Sequence, residues 1–258
     1  MQALKVTIVQ SHLHWENPEA NRNFFSEKIK SIKEPTDVIV LPEMFTTGFS
    51  MNAANFAEPT NGPTLQWMQE LSRHTNAAIA GSIMVKEAGK FYNRFLWVEG
   101  TTGLTYYDKR HTFTLAGEHL VYEPGNDLKI ITYKGWKICP LICYDLRFPV
   151  WARNTHHYDV LLYVANWPEK RIDAWDALLK ARAIENMAYC VGVNRTGLDG
   201  NGHNYTGHSA CYDMLGKQLS QIHFEKECIE TVVLDKEKLI ATRQKLPFLE
   251  DQDSFTIH

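Results

Sequence analysis

One cysteine stands where an α/β enzyme commonly places a nucleophile. Cys143 follows the apolar run from Trp136 to Ile142, which is typical of a buried strand, and a stretch from Phe148 to about His156 can form a helix. A side chain at such a strand end is held on rigid backbone, and the N–H groups of the following turn are free to bind an oxyanion. A free cysteine is often only a small buried apolar residue, so Cys143 alone does not define a site.

Two charged residues have comparable positions. Glu43 ends the apolar run that starts at Asp37, and Lys109 follows the predicted strand from Gly103 to Asp108. The C-terminal strand ends of α/β layers collect ligand sites, so we expect Glu43 and Lys109 to converge on Cys143. A buried carboxylate can take the proton of a thiol, and an ammonium can stabilise charge that develops on a carbonyl oxygen. The three residues together predict attack by a thiol on a carbonyl carbon, although Glu43 alone is also compatible with an exposed loop acid.

Composition excludes several other classes of protein. The 258 residues are 44 % hydrophobic and 12 % aromatic, enough for a sizeable core, and without repeats or a linker they predict a single domain over residues 1–258. Thirty acidic and 27 basic side chains give a net charge of −3 with no basic cluster, so no nucleic-acid partner is expected. The sequence has no apolar run near 18 residues and no signal peptide, which predicts no membrane association.

The cysteines indicate a reducing compartment. There are five of them, an odd number, mostly within apolar runs, which favours reduced thiols in a cytoplasmic protein. We predict that Cys139, Cys190, Cys211 and Cys228 are core thiols. Cys139 and Cys143 do not form a zinc-type C-x-x-C pair, and the histidines from His203 to His208 lack ligand spacing on a regular element. We therefore expect no metal and no other cofactor.

The element pattern predicts an α/β protein with two mixed sheets. Strands and helices alternate early in the chain, and hairpins are interspersed later. Ile172 to Met187 is the strongest predicted helix, and a hairpin is predicted from Thr206–Met214 and Lys217–Ile222. About a dozen strands with few helices favour two sheets packed face to face with helices outside.

Three motifs in this order resemble those of the nitrilase superfamily of carbon–nitrogen hydrolases. They are Pro42-Glu43, Tyr107-Asp108-Lys109 and Cys143-Tyr144-Asp145-Leu146-Arg147-Phe148-Pro149. The resemblance covers nearly the whole chain and implies a four-layer αββα sandwich, often paired as a homodimer. Further segments are most similar to the omega-amidase branch, namely 109–113, 165–168 and 181–186. Members of that branch hydrolyse the terminal amide of small 2-oxo acids such as 2-oxoglutaramate and 2-oxosuccinamate.

The resemblance also implies roles for individual residues. Cys143 is the expected nucleophile, Glu43 the base, and Lys109 with the backbone N–H of Tyr144 the oxyanion donors. The expected product of the first step is a thioester, which water then hydrolyses. Glu118 falls where family members carry a second glutamate, and we expect it to orient Lys109 or the substrate, unless it is a surface acid.

The residues that bind the small-molecule amide substrate are less defined. A substrate carboxylate needs a cationic or hydrogen-bonding partner. The candidates are Arg171, Arg147 and Arg195, each of which could instead be structural, and the candidates for an apolar wall are Phe113, Tyr144 and Trp167. Many relatives have Glu after the Arg-Phe-Pro, whereas this chain has Val150, which leaves the partner of Arg147 open.

Other functions remain compatible with the same motifs. A nitrilase or an N-carbamoyl amino acid hydrolase uses the same three residues, and a catalytically silent binding protein shares the fold. The silent alternative is disfavoured because Glu43, Lys109 and Cys143 are all present. A papain-like Cys–His enzyme is disfavoured because no histidine stands at a comparable strand end.

Overall fold

The computed structural model describes residues 3–257, so Met1, Gln2 and His258 of the predicted domain lie outside the described residues. The strands are β1 (Leu4–Gln10), β2 (Val38–Val40), β3 (Ala78–Glu87), β4 (Lys90–Glu99), β5 (Gly103–Asp108), β6 (Ile131–Tyr133), β7 (Trp136–Ile142), β8 (Val160–Val164), β9 (Tyr189–Val193), β10 (Thr196–Leu198), β11 (Asn204–Thr206), β12 (Ala210–Tyr212) and β13 (Cys228–Leu234). The helices are α1 (Pro18–Lys30), α2 (Ala53–Phe56), α3 (Pro63–Thr75), α4 (Pro149–Ala152), α5 (Ile172–Glu185) and α6 (Lys236–Lys245).

The strands form two mixed sheets, as the sequence predicts. The first has the order β13-β1-β2-β3-β4-β5, and the second has the order β12-β9-β8-β7-β6. The central strands β1, β2 and β3 are parallel in the first sheet, and β7, β8 and β9 are parallel in the second. The outer strands pair antiparallel in both sheets, and β10 and β11 form a separate short ribbon. The predicted sandwich of two mixed sheets with outer helices is confirmed.

Apolar side chains fill the space between the sheets and beneath the helices. One buried cluster joins both sheets, with Val6, Val40 and Trp97 on one side and Leu141 and Leu162 on the other. A second cluster joins the opposite face of the first sheet to α1 and α3. Parallel strands that are buried on both faces read as continuous apolar runs, which is why Asp37–Leu41 and Tyr189–Val193 lack alternation.

Helix α5 packs closely on the second sheet because Gly192 has no side chain. A Cβ at Gly192 would lie 2.5 Å from Cδ1 of Leu179 and 2.8 Å from Trp175. Trp175, Leu179 and Ala183 form the buried stripe of this helix, in agreement with the predicted periodicity. The helix therefore covers the sheet that carries Cys143.

Two local predictions were wrong. The helix predicted from Phe148 to about His156 is limited to α4, because Asn154 turns the chain by bonding to Asn186 and Tyr158. In the predicted hairpin of residues 206–222, the second strand is reduced to a single bridge between Tyr212 and Gln218. The Asp213 carboxylate accepts two backbone N–H groups of the intervening turn and thereby shortens the pairing.

The helices between residues 3 and 257 are all too short or too polar to cross a lipid bilayer. The cysteines are free thiols, of which Cys139, Cys190 and Cys211 are buried in the core as predicted. Cys228 on the edge strand β13 is only half-buried, so its prediction as a core thiol was wrong.

Candidate active site

Glu43 lies three residues after the end of β2 and its side chain is completely buried. Its Oε1 accepts hydrogen bonds from Nζ of Lys109 at 2.9 Å and from Nδ2 of Asn93 at 2.8 Å. Its Oε2 accepts the backbone N–H of Asn166 at 2.8 Å. Three donors on two oxygens hold the carboxylate in one orientation, as a proton acceptor requires.

Lys109 lies directly after β5 and connects two carboxylates. Its Nζ is 2.9 Å from Oε1 of Glu43 and 3.0 and 2.9 Å from the two oxygens of Glu118. Burial by itself would lower the pKa of the Lys109 ammonium, but the charges of Glu118 and Glu43 outweigh burial and raise it. Lys109 is therefore a permanent cation at the centre of the cluster.

Glu118 is buried on a short 3₁₀ turn, Glu118–Leu120, in the loop that follows β5. Its Oε2 also accepts the backbone N–H of Phe113 at 2.5 Å, which closes the loop over Lys109. Burial and the charge of Glu43 raise the pKa of Glu118, and Lys109 counteracts this rise. The structure thus places Glu118 against Lys109 and not on the surface.

Cys143 begins a 3₁₀ turn, Cys143–Arg147, at the end of β7, and its backbone φ is +45°. A positive φ is uncommon for a residue with a side chain and here marks the sharp turn that displays the sulfur. Sγ lies 3.9 Å from the backbone oxygen of Asn166. Burial and the charge of Glu43 raise the pKa of Cys143 well above that of an ordinary thiol, with Lys109 opposing, and a hydrogen bond with Glu43 adds to the rise. The surroundings of Cys143 therefore favour the neutral thiol over the thiolate.

A buried carboxylate braces the turn that carries Cys143. Oδ2 of Asp145 accepts the backbone N–H of Ile142 at 3.0 Å and the hydroxyl of Tyr107 at 2.8 Å. Oδ1 of Asp145 accepts the backbone N–H of His111 at 3.0 Å. These bonds tie the end of β7 to the segment after β5, so the two sheets are fixed relative to each other behind the thiol.

The backbone N–H of Tyr144, the first after Cys143, is not engaged with any group between residues 3 and 257. It lies at the beginning of a turn, where N–H groups lack a partner within the helix. The chain thus offers one free backbone donor beside the sulfur and one ammonium on Lys109, which is the donor set that a developing oxyanion requires.

A cavity of about 220 Å³ opens over Cys143. Phe113, Tyr144 and Trp167 line it, and the rings of Phe113 and Tyr144 lie 4.9 Å apart. Arg147 and Arg171 also line the cavity. The volume is below the range of drug-sized ligand pockets, which indicates a small substrate.

Each of the two arginines of the cavity lies against an aromatic ring. The Arg147 guanidinium lies 4.9 Å from the ring centre of Trp167, and that of Arg171 lies 5.0 Å from the ring centre of Phe113. Neither guanidinium has a carboxylate partner among the residues that the structure describes. Val150, which follows Arg147-Phe148-Pro149, is exposed, and Arg147 itself lines the cavity.

Arg195, the third candidate for the substrate carboxylate, does not line the cavity. It is completely buried behind Tyr205, with its guanidinium 4.7 Å from the ring centre, and donates to the carbonyl oxygens of Thr196 and Leu198. Burial lowers its pKa. Its position indicates a structural residue of the β10–β11 ribbon.

Two asparagines of the site were not singled out from the sequence. Asn93 bonds both glutamates and Asn166 bonds Glu43 at two points. Their signal in the sequence is weak: Asn93 is a polar residue in the middle of a strand, and Asn166 follows the apolar run of β8. Asparagine in either place is equally typical of an edge strand or a loop.

A sandwich of two mixed sheets in which a glutamate, a lysine and a cysteine converge from strand ends of both sheets defines the nitrilase-like class of hydrolases. The chain belongs to the carbon–nitrogen hydrolase family, whose model matches residues 5–244. It is therefore a hydrolase that acts on carbon–nitrogen bonds, and the family resemblance read from the motifs is confirmed.

The relatives agree with this assignment over the full chain. The sequence is 45 % identical to Omega-amidase YafV of Yersinia enterocolitica, with 100 % of both chains covered. It is 32 % identical to 2-oxoglutaramate amidase of Bacillus subtilis, which covers 95 % of this chain and 96 % of that protein. Among solved structures, XC1258 of Xanthomonas campestris, a CN-hydrolase superfamily protein with an arsenic adduct in its active site, matches with a TM-score of 0.97 and 39 % identity over 100 % of both chains.

Proposed function

We propose that this protein is an omega-amidase that hydrolyses the terminal amide of small 2-oxo acid amides, such as 2-oxoglutaramate and 2-oxosuccinamate, to the acid and ammonia. The observation that carries the proposal is that Arg147 and Arg171, which have no carboxylate partner within residues 3–257, lie in the same small cavity as Cys143. A substrate with an amide at one end and a carboxylate at the other fits such a cavity. The names of the relatives in Yersinia enterocolitica and Bacillus subtilis support the same substrate class.

The first half of the reaction makes a thioester. Glu43 takes the proton of the Cys143 thiol as the sulfur attacks the amide carbon, and the carbonyl π electrons move to the oxygen. Lys109 and the N–H of Tyr144 stabilise this oxyanion. When the tetrahedral intermediate collapses, the C–N bond breaks and Glu43 gives its proton to the nitrogen, so ammonia leaves.

The second half regenerates the enzyme. Glu43 takes a proton from a water molecule that attacks the thioester carbon, and the same donors stabilise the second oxyanion. The C–S bond then breaks, the acid leaves, and the proton returns from Glu43 to the sulfur. Because the pKa of Cys143 is raised, the thiol is deprotonated only as it reacts, which agrees with a base placed beside it.

Glu118 acts through Lys109 in this scheme. All three Nζ contacts of Lys109 go to Glu43 and Glu118, so the ammonium is held in place before substrate binds. When the substrate reacts, the Lys109 ammonium turns one N–H from Glu118 to the oxyanion, and its positive charge lies beside the oxyanion. Glu118 is therefore a positioning residue for the cation and also fixes the position of Phe113 at the cavity wall.

We infer further that residues 1–258 form one catalytic domain and that the enzyme is a cytoplasmic homodimer. One buried core joins both sheets, which supports a single domain. The free thiols support a reducing compartment.

An exposed apolar patch around α4 supports an interface between copies. It consists of Val150, Phe255 and Ile257. Light scattering on the full chain tests the dimer, since a monomer at micromolar concentration contradicts it.

The test of the function is ammonia release from 2-oxoglutaramate, 2-oxosuccinamate, glutamine, an N-carbamoyl amino acid and a simple nitrile. We expect release from the two 2-oxo acid amides with the native protein and none with Cys143→Ala. Release mainly from the nitrile or the carbamoyl compound would overturn the substrate class. A folded native protein that releases ammonia from none of the five would overturn the proposed function in favour of a binding role.

A further inference from the structure

Two buried polar residues next to Glu43 have no part in the reaction scheme above. Ser82 lies on β3 and Asn93 on β4, and both side chains are essentially inaccessible to solvent. Ser82 pairs with Phe95 in the antiparallel register, so Ser82 and Asn93 are diagonal neighbours whose side chains lie on the same face of the sheet. An unpaired polar group in the interior of an apolar sheet costs free energy. The side chains of Ser82 and Asn93 avoid this cost because both are hydrogen-bonded.

Their hydrogen bonds form a chain of fixed direction. The backbone N–H of Met44 donates to Oγ of Ser82 at 2.9 Å, and the Ser82 hydroxyl donates to Oδ1 of Asn93 at 2.9 Å. Nδ2 of Asn93 then donates to Oε1 of Glu43 at 2.8 Å and to Oε1 of Glu118 at 3.2 Å. Ionised carboxylates can only accept, so Asn93 directs its NH₂ group to Glu43 and Glu118, and its Oδ1 is left to accept the Ser82 hydroxyl.

This chain of hydrogen bonds holds Glu43 from two sides. Met44, the residue after Glu43, has a backbone φ of +43°, in the left-handed region that a residue with a side chain rarely adopts. Ser82 anchors that backbone, and through Asn93 it also anchors the Glu43 carboxylate. In addition, the backbone oxygen of Asn93 accepts the N–H of Lys109 at 3.0 Å, so the same residue fixes the start of the segment that carries the cation.

We propose that Ser82 and Asn93 are positioning residues that set both the orientation and the charge of the Glu43–Lys109–Glu118 cluster. This inference rests on the proposed function in one respect, the role of Glu43 as the base. Two carboxylates share one ammonium here, and a neutral donor between the carboxylates can bond both without changing the charge of the cluster. Asn93 supplies that donor, and the Ser82 hydroxyl, which donates to its Oδ1, favours this orientation of the amide.

The decisive variant is Asn93→Asp, which keeps the shape and removes the obligatory donor. While the introduced carboxyl group is protonated, it can still donate to Glu43 or Glu118, whereas its ionised form adds a third negative charge. The side chain at this position contacts Glu43 and Glu118, and the charges of these two carboxylates act in turn on Lys109, Cys143 and Tyr122. We therefore expect kcat/KM of the variant to stay within about 10-fold of native near pH 5.5 and to fall at least about 100-fold below it by pH 8.5.

A second variant removes the anchor without changing charge. Ser82→Ala leaves the Met44 N–H and the Asn93 oxygen unpaired, and we expect kcat to fall about 10-fold or more with little change in KM. Ser72→Ala is the matched control, because the Ser72 hydroxyl also bridges a backbone N–H, of Gly100, and a backbone oxygen, of Ala77, outside the cavity. The control should lose comparable stability and keep its kcat.

Alkylation of Cys143 by iodoacetamide separates failure of this inference from failure of the proposed function. Glu43→Gln should slow both alkylation at pH 7 and ammonia release; if it changes neither, the proposed role of Glu43 fails. If Glu43→Gln has its expected effect but Asn93→Asp gives a ratio to native that does not vary between pH 5.5 and 8.5, the inference is overturned. It is also overturned if Ser82→Ala loses no more kcat than Ser72→Ala.

Discussion

Asn166 holds Glu43 at two points, one on the side chain and one on the main chain. The backbone N–H of Asn166 donates to Oε2 of Glu43 at 2.8 Å, and Nδ2 of Asn166 donates to the backbone oxygen of Glu43 at 2.6 Å. Glu43 follows β2 of the first sheet and Asn166 follows β8 of the second. Since Sγ of Cys143 lies 3.9 Å from the backbone oxygen of Asn166, the same residue sets how the base of one sheet meets the thiol of the other.

Replacement of Asn166 by Ala should therefore uncouple the two sheets at the site. The variant loses the bond to the Glu43 main chain but keeps the backbone N–H, so we expect kcat to fall about 10-fold and the free energy of unfolding to fall by about 1–2 kcal/mol. Steady-state ammonia release and urea unfolding measure the two effects. Asn204→Ala is the control, because Asn204 is exposed and its amide bonds only Glu169 within the described part of the chain. Equal kcat values for the two variants would contradict the coupling.

Lys109 should be irreplaceable, even by arginine. Among residues 3–257, Lys109 is the only cation in contact with Glu43 and Glu118. Lys109→Met removes it, and we expect kcat/KM to fall by at least about 10²–10³, as for loss of an oxyanion donor. The two carboxylates are then buried without a counter-charge, so a loss of about 3–5 kcal/mol of stability is also expected. Lys109→Arg should not restore activity, because a larger planar group cannot place its donors where the compact ammonium contacts both glutamates. A Lys109→Met protein with more than a tenth of native kcat/KM would contradict the proposed role.

Arg147 and Arg171 should govern recognition of the substrate carboxylate. Arg147→Ala or Arg171→Ala should raise KM for 2-oxoglutaramate about 10-fold or more, as expected for a charge-assisted hydrogen bond, and should leave kcat/KM for an uncharged amide nearly unchanged. Arg73→Ala removes the same charge from the surface of α3 and serves as control. If both cavity variants affect the charged and the uncharged amide equally, neither arginine binds the carboxylate.

The pH dependence of Cys143 follows from its raised pKa. Because burial and Glu43 favour the neutral thiol, the thiolate form of Cys143 increases only as pH rises beyond the range of an ordinary thiol. The ultraviolet difference spectrum between the native protein and Cys143→Ser should thus show no thiolate at pH 7, and the thiolate band should appear only above the pH range in which a free cysteine titrates. A titration midpoint at or below that of a free cysteine would indicate a preformed thiolate and a different role for Glu43.

Tyr107 should matter for stability more than for the chemistry. Its hydroxyl donates to Asp145 at 2.8 Å and accepts the N–H of Arg110 at 3.1 Å and Nε1 of Trp151 at 3.0 Å. Tyr107→Phe leaves these buried partners unpaired, so we expect a loss of about 2–4 kcal/mol in the free energy of unfolding, measured in urea. Tyr106→Phe on the exposed side of the same strand is the control and should change it by less than about 0.5 kcal/mol. Equal losses in the two variants would contradict the bracing role of Asp145.

The sequence by itself determined the fold class and the reactive groups. Glu43, Lys109 and Cys143 are recognisable because each follows an apolar strand, and strand ends of parallel elements meet at one edge. Hydrophobic pattern and turn residues are local properties of the chain, so they specify where elements begin and end to within a few residues. The helix after Phe148 and the hairpin of residues 206–222 were wrong because hydrogen bonds that no periodicity reveals, such as the one from Asn154 to the distant Asn186, end those elements.

Only the tertiary structure decided how the reactive groups are held. Three of the holding residues come from different strands or strand ends, namely Asn93, Ser82 and Asn166. They form hydrogen bonds with Glu43 or its neighbour Met44, from which they are separated by 38 to 123 positions in the sequence. The tertiary structure likewise showed that Arg147 and Arg171 lack carboxylate partners within residues 3–257, whereas Arg195 is buried behind Tyr205. Local patterns specify the type of a residue and its element. Whether a polar side chain is paired depends on which distant groups the packed sheets bring within about 3 Å of it.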